Sequence, residues 1–497
     1  MRPINKRGRK SRSTPEQTPT DEVTLSWRAR QQRFGGQELL TSLFNVYLNN
    51  VHPNYPILPG DISDNDWQRW IGLSDQASYV LLMAMCALGA RHIETGAIFT
   101  TVSFDVGTIL HSDTYLLEAI HAIPFRLSHC KGLDYIRAFG LLALCAIQRS
   151  DYSSLHRYLG LYHGLVAQDG FHDESRWPKH LTVLEIELRR RVYWCMYRLE
   201  VHSACVLGHM IRVSELQSSV LYPSPTMDAQ CNCGVSQSCD KHDRWLIGWN
   251  LNTDLYRILE HTLLKFRTKK SLLLPIIRPQ ASPSLADVLE AIANLQRQLP
   301  VEAVKTRRLS ITNDVRLGFQ GANMFCKSQL TKMLAFITAD TSLNERCQVI
   351  NELIEGLVAI PLAYLKAFGS PMVHELSGVG HLLGLTVSEN TSIEICQEVM
   401  RLILCLSELF DGMAGSIKSA AEAGRRLRDL STKLENKIQS QRYQDKARAI
   451  DQLHITGYDQ SQTQGTRFGG DILSASFQQT PISDVGSFND GNFADYF

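Results

Sequence analysis

Apolar residues recur at helical spacing along most of the chain. Leu39, Leu40, Leu43, Phe44, Tyr47 and Leu48 make one face of a helix that stops before His52-Pro53, because a residue preceding proline is pushed out of the α region. The next element, HPNYPILPG (52–60), holds Pro53, Pro56 and Pro59, which forbid a regular helix or a central strand. From there the spacing predicts helix after helix, over 76–93, 110–122, 134–149, 153–169, 181–206, 244–267, 284–298, 312–337, 344–367, 391–410 and 415–448. Few stretches alternate as strands do, and no repeat of fixed period is present, which argues against a regular solenoid. The expected fold class is all-α. One large multi-helix body over 36–450 lies between a basic arm with its linker (1–35) and a tail (451–497).

Composition breaks mark the connections. Residues 13–35 are polar, with Pro15 and Pro19, and read as a linker. The insert 222–243 and the Pro/Ser-rich stretch 274–284 read as loops. Residues 425–448 form a charged helix with eight basic and three acidic groups. From Asp459 the chain turns to Gly, Ser, Gln and Asp, cannot build a core, and is expected to be disordered. Acids and aromatics alternate there, as in Asp484 with Phe488, Asp490 with Phe493, and Asp495 beside Tyr496 and Phe497. That is the composition of disordered activation segments, whose aromatics fold into a groove on a partner. A functionless frayed terminus is the other reading.

Overall numbers narrow the class. With 44% hydrophobic and 20% charged residues over 497 positions, the chain is no collagen, coiled-coil rod or wholly disordered polymer. Net charge is +1, yet Arg2, Lys6, Arg7, Arg9, Lys10 and Arg12 crowd into the first twelve residues without an acid. Setting those six aside leaves 45 basic against 50 acidic groups. Such a body does not coat nucleic acid, whereas the arm suits phosphate contact or nuclear import, its plain alternative being a solvated tail. Twelve cysteines, mostly scattered singly, do not resemble a secreted disulfide framework. The N-terminus shows no signal-peptide pattern. The longest apolar run, 79–90, falls short of the ~18 residues a membrane span needs. A soluble, intracellular protein without a membrane partner is expected.

Catalytic motifs are missing: there is no Gly-x-Ser-x-Gly, P-loop, His-Glu-x-x-His or Gly-x-Gly-x-x-Gly. No catalytic or cofactor-binding residue is predicted, and the chain does not read as an enzyme. Cys231, Cys233, Cys239 and His242 offer three thiolates and an imidazole to a zinc ion. Cys-x-Cys is tighter than the usual knuckle, so a loop with free thiols stands beside a metal site as the alternative.

The segment ELRRRVYWCMYRLE (187–200) concentrates chemistry. Leu184, Leu188, Val192, Cys195 and Leu199 share one helix face, and Glu185 and Glu187 stand four residues before Arg189 and Arg191, the favourable order for helical ion pairs. Three consecutive arginines point about 100° apart and cannot all face solvent. At least one is expected in an interhelical polar clamp, with a site for an anionic ligand as the alternative.

Around this helix the chain resembles the fungal transcription factor regulatory domain, the middle homology region of zinc-cluster regulators (xylanolytic-activator type). The matching positions are Leu159-Gly160, Gly170-Phe171-His172-Asp173, Glu187, Arg189-Arg190-Arg191 and Tyr193-Trp194. Upstream, HPNYPIL (52–58) and LLMAMCALGAR (81–91) are similar to two further elements of that family. Leu199-Glu200-Val201 and Gly208-His209-Met210 depart from its usual Leu-Asp-Arg and Gly-Arg-Pro, marking a divergent member. The resemblance implies an all-α regulatory body, a nuclear location, control of transcription by RNA polymerase II, coactivators or transcription machinery as partners, and a possible homodimer. It also implies a Zn2Cys6 cluster that binds zinc and DNA. No cysteine precedes Cys86, so DNA is expected to be reached only through a cluster lost or lying upstream, and no cofactor is expected in this chain. The rivals are a co-regulator acting by protein contact and, further off, an all-α enzyme or ligand-binding protein on the same fold.

Overall fold

The computed structural model describes residues 32–59, 75–99, 109–225, 244–270, 283–305, 315–388 and 391–458. Every regular element among them is helical. The order is α1 (Gly36–Asn50), α2 (Gln76–Glu94), α3 (Ser112–His121), α4 (Leu133–Gln148), α5 (Tyr152–Asp169), α6 (Val183–Leu207) and α7 (Arg244–Lys270). Then follow α8 (Leu285–Gln298), α9 (Val301–Lys305), α10 (Val315–Thr338), α11 (Leu343–Ala359), α12 (Leu362–Phe368), α13 (Ser370–Leu385), α14 (Ile393–Asp411) and α15 (Lys418–Tyr458). One continuous hydrophobic core runs from Phe34 to Leu434. No single helix among the described residues is long and apolar enough to cross a membrane.

Local chemistry sets the helix ends. Asp75 caps α2 by accepting from the Ser78 N–H at 2.8 Å. Thr182 and Glu185 form a reciprocal capping box at the start of α6, so both satisfy N–H groups that have no partner inside the helix. Pro361 lacks an N–H and breaks the predicted 344–367 helix into α11 and α12, which meet at 108°. Two further differences from the expected pattern have physical causes. Helix α13 carries Gly378, Gly380 and Gly384 and is buried nearly all round, so it shows no amphipathic period. Helix α15 continues to Tyr458 because nothing between 448 and 456 breaks it.

Gly89, in the LLMAMCALGAR element, decides how closely α1 and α2 approach. A Cβ added there would lie 2.3 Å from the Leu43 carbonyl oxygen, a backbone atom that cannot rotate away. Gly89→Ala is therefore expected to lower stability by about 2 kcal/mol through overpacking, beyond the ~1 kcal/mol that alanine gains in helix propensity. A urea midpoint at or above the parent's would contradict this.

Candidate functional site

The Pro-rich element 52–58 lies against the α6 arginines. Having no helix of its own, it leaves its carbonyls open to side chains from distant helices. The Pro53 carbonyl accepts from Gln320 Nε2 at 2.7 Å, that of Asn54 from Trp249 Nε1 at 3.0 Å, and that of Leu58 from Arg191 Nη1 at 3.2 Å. The Asn54 side-chain oxygen accepts from Arg198 Nη2 at 2.8 Å and Asn323 Nδ2 at 3.3 Å. One short loop thus ties α6, α7 and α10 together.

The three consecutive arginines take three different roles. Arg191 is 1% exposed and holds the Leu58 carbonyl. Arg190 is the ionic clamp: its Nε and Nη2 reach Glu174 at 2.7 and 2.9 Å, and its Nη1 reaches Glu187 at 2.8 Å. The Glu174 hydrogen bonds raise the Arg190 guanidinium above its usual range. Arg189 is half-buried and donates to the Glu185 carbonyl at 3.3 Å. The expected four-residue ion pairs do not form. The Glu185 carboxylate turns back to Thr182, and Glu187 pairs with Arg190, three residues on. The clamp reading of this helix fits the Arg190 contacts. The single apolar face also needs correction, because every residue from Arg191 to Leu207 is buried.

The remaining family positions stitch the same region. Gly170 ends α5 at φ +60°, which a side chain rarely adopts, and a Cβ there would meet Arg176 Nε at 2.8 Å. His172 acts through its backbone carbonyl, which accepts from Ser219 N at 3.1 Å. Trp194 Nε1 donates to the Leu221 carbonyl at 3.0 Å, with its ring against Tyr193, Tyr197 and Tyr222. Gly160 is exposed with open space about its Cα. The basic arm (Arg2 to Arg12), Cys231, Cys233, Cys239, His242 and the acidic-aromatic tail all lie outside the described residues.

Several buried charges escaped the sequence reading. Lys327 on α10 is 0% exposed, and its Nζ lies 2.5 Å from Glu375 Oε2, 3.0 Å from His202 Nδ1 and 4.7 Å from the Tyr256 ring centre. Burial alone would lower its ammonium, but Glu375 holds it raised. Glu200 on α6 is likewise 0% exposed. Burial pushes its carboxyl up, yet the His163 hydrogen bond and the Arg212 charge bring it down to about 2. The available signal was a lone charge inside an apolar helix, as in NMFCKSQL (323–330) and PMVHELSG (371–378).

The model of the family described as "Fungal specific transcription factor domain" matches residues 44–296, just over half of the chain. The chain belongs to this family. The transcriptional activator protein acu-15 of Neurospora crassa is 33% identical over 87 residues, 18% of this chain. That stretch spans only 9% of the Neurospora protein's length. Within the fungal-specific transcription factor domain, the loop carbonyls and the Arg190 clamp form the inner frame, and α10 and α13 close it from beyond residue 296. The zinc that the resemblance implies finds no fit among the described residues. No group of three or more metal-ligating side chains occurs there. Burial raises the thiols of Cys145, Cys195 and Cys205 to about 12, whereas zinc takes thiolates.

Proposed function

We propose that the chain is the regulatory body of a fungal transcription regulator, working in the nucleus through protein contacts and without catalysis of its own. The observation that carries this reading is the family match over 44–296, which contains the loop 52–58 and the α6 and α7 side chains that bind it. The similarity to a named transcriptional activator points the same way. Sequence-specific DNA contact belongs to a zinc-cluster module, since no six-cysteine spacing occurs in these 497 residues. The cationic arm would contact phosphates or an import receptor without reading bases.

A tethering experiment tests this. Fused to an unrelated DNA-binding domain, residues 1–497 should change transcription of a reporter bearing that domain's site, and a fluorescent fusion should enter the nucleus. Changing Lys6, Arg7, Arg9 and Lys10 to Ala should leave the fluorescent fusion in the cytoplasm. A reporter unmoved by a folded, nuclear fusion would refute the regulatory reading.

A further inference from the structure

Where α6 gives way to the segment 208–213, three histidines and two arginines gather around one carboxylate. Glu200 of α6 supplies it and is 0% exposed. Its Oε1 accepts from the Arg212 N–H at 2.9 Å and from Arg212 Nε at 3.0 Å, and its Oε2 accepts from His163 Nε2 of α5 at 3.2 Å. His209 stands beside them with Nδ1 4.0 Å from Glu200 Oε1. Its ring meets that of His156 on α5 edge to face, with centres 5.0 Å apart. From α7, Arg267 donates to the carbonyls of Ala204 and His209 at 2.7 and 2.9 Å. Arg157, the other cation of α5, leans over the Tyr158 ring. The stretches 152–168 and 203–213 hold no Asp or Glu. Glu260 of α7 is engaged elsewhere, by the Tyr197 hydroxyl and the Glu215 N–H, and Lys327 and Glu375 compensate each other.

With its histidines neutral, the cluster is balanced, because Arg212 cancels Glu200. His209 Nδ1 donates to the Met210 carbonyl at 2.8 Å, since a carbonyl only accepts. The neutral ring therefore leaves Nε2 to accept from Ser203 Oγ at 2.9 Å. A proton added at Nε2 keeps that contact, because the serine hydroxyl can turn to the Glu200 carbonyl at 3.1 Å. Hydrogen bonding thus tolerates protonation, and charge opposes it. A protonated His209 is a second cation beside Arg212 with Glu200 already taken, and a protonated His156 is a third at ring contact. Burial lowers both imidazoles from their ordinary value, and the Arg212 charge adds to it. His163 differs, because it faces the carboxylate directly and donates to it in either protonation state.

We propose that this cluster is a pH-sensitive latch, which holds the segment 208–213 against α5 and α6 at neutral pH and releases it on mild acidification. The closed arrangement resists protons on His156 and His209, whereas an open one takes them up at the ordinary imidazole value of about 6.5. The stability of the closed form is therefore complete above that value and is lost as the pH falls below it. A protonated His163 keeps Glu200 paired when Arg212 leaves, so opening does not strand the buried carboxylate. Release frees Ile211 and Val213, which pack against the core, to join Met210, already 74% exposed. A new apolar surface then appears at the end of α6. The latch does not depend on the transcriptional reading.

Hydrogen exchange of the full chain at pH 7.5 and 5.5, read by mass spectrometry and corrected for the intrinsic pH dependence of exchange, provides the test. The Arg212 N–H is the reporter, because Glu200 itself holds it. Each histidine that takes a proton only in the open form raises the opening constant about tenfold over this interval. The peptide over 208–213 should therefore lose about ten- to a hundredfold of its protection, while the peptides of α4 keep theirs. His156→Gln combined with His209→Gln should abolish the response. His156→Gln alone, exposed on α5, should cut it at least twofold and decides the matter if the double variant fails to fold by circular dichroism. The proposal falls if protection over 208–213 in the parent changes less than threefold, or if either folded variant responds like the parent. Equal loss of protection in α4 means general acid unfolding and overturns it as well.

Discussion

Replacing Lys327 with alanine is expected to destabilise the body by about 3–5 kcal/mol, because it leaves the Glu375 carboxylate buried without its cation. The ion pair is closed, with both side chains at most 2% exposed, and the Tyr256 ring also faces the ammonium. The pair as a whole should be worth much less than either half suggests. Lys327→Met combined with Glu375→Leu removes both charges at similar volume and should recover most of the loss. Urea unfolding of the two single variants and the double variant checks this. A Lys327→Ala protein within 1 kcal/mol of the parent would mean that Glu375 is neutral in the folded chain or that the core rearranges around it.

The arginine clamp should show the second large effect. Arg190→Ala strands two carboxylates at once, Glu174 and Glu187, of which Glu187 is 3% exposed. A loss of about 3 kcal/mol is expected for a paired group that keeps some solvent contact. Arg190→Lys should recover only part of it, since an ammonium cannot reproduce the fork that reaches Glu174 by two nitrogens. Arg189→Ala serves as the control. Its one side-chain hydrogen bond among the described residues goes to the Glu185 carbonyl one turn back, so a change within about 0.5 kcal/mol is expected. Thermal unfolding that ranks Arg189→Ala with Arg190→Ala would overturn these separate roles.

Helix existence was legible in the sequence wherever one face stayed wet. Helices α1, α8 and α14 bury a stripe and expose the rest, so their apolar period is visible. Helix α13 is buried on nearly every side and offers no period to read. The clamp was legible in kind but not in detail. Three adjacent arginines had to find partners, yet Glu187 answers Arg190 rather than Arg191, because Arg191 is drawn to a carbonyl 133 residues earlier in the chain. Contacts of that range leave no local trace. The same holds for Lys327 and Glu375, 48 residues apart on two helices that only the tertiary fold brings together. Each stands singly in an apolar run, a pattern that signals burial without naming the partner.

The loop at 52–58 also bears on how the chain reaches this state during synthesis. Its Pro53 carbonyl waits for a glutamine 267 residues downstream, and its Asn54 side chain for an asparagine 269 residues downstream. At ~5–20 residues per second on the ribosome, those partners emerge roughly 13–55 s after the loop does. The segment that bears the family's signature therefore leaves the ribosome well before the helices that complete its hydrogen bonds. Its apolar surface stays open to chaperones for that interval, and a chain released before residue 323 leaves these loop acceptors without their downstream donors.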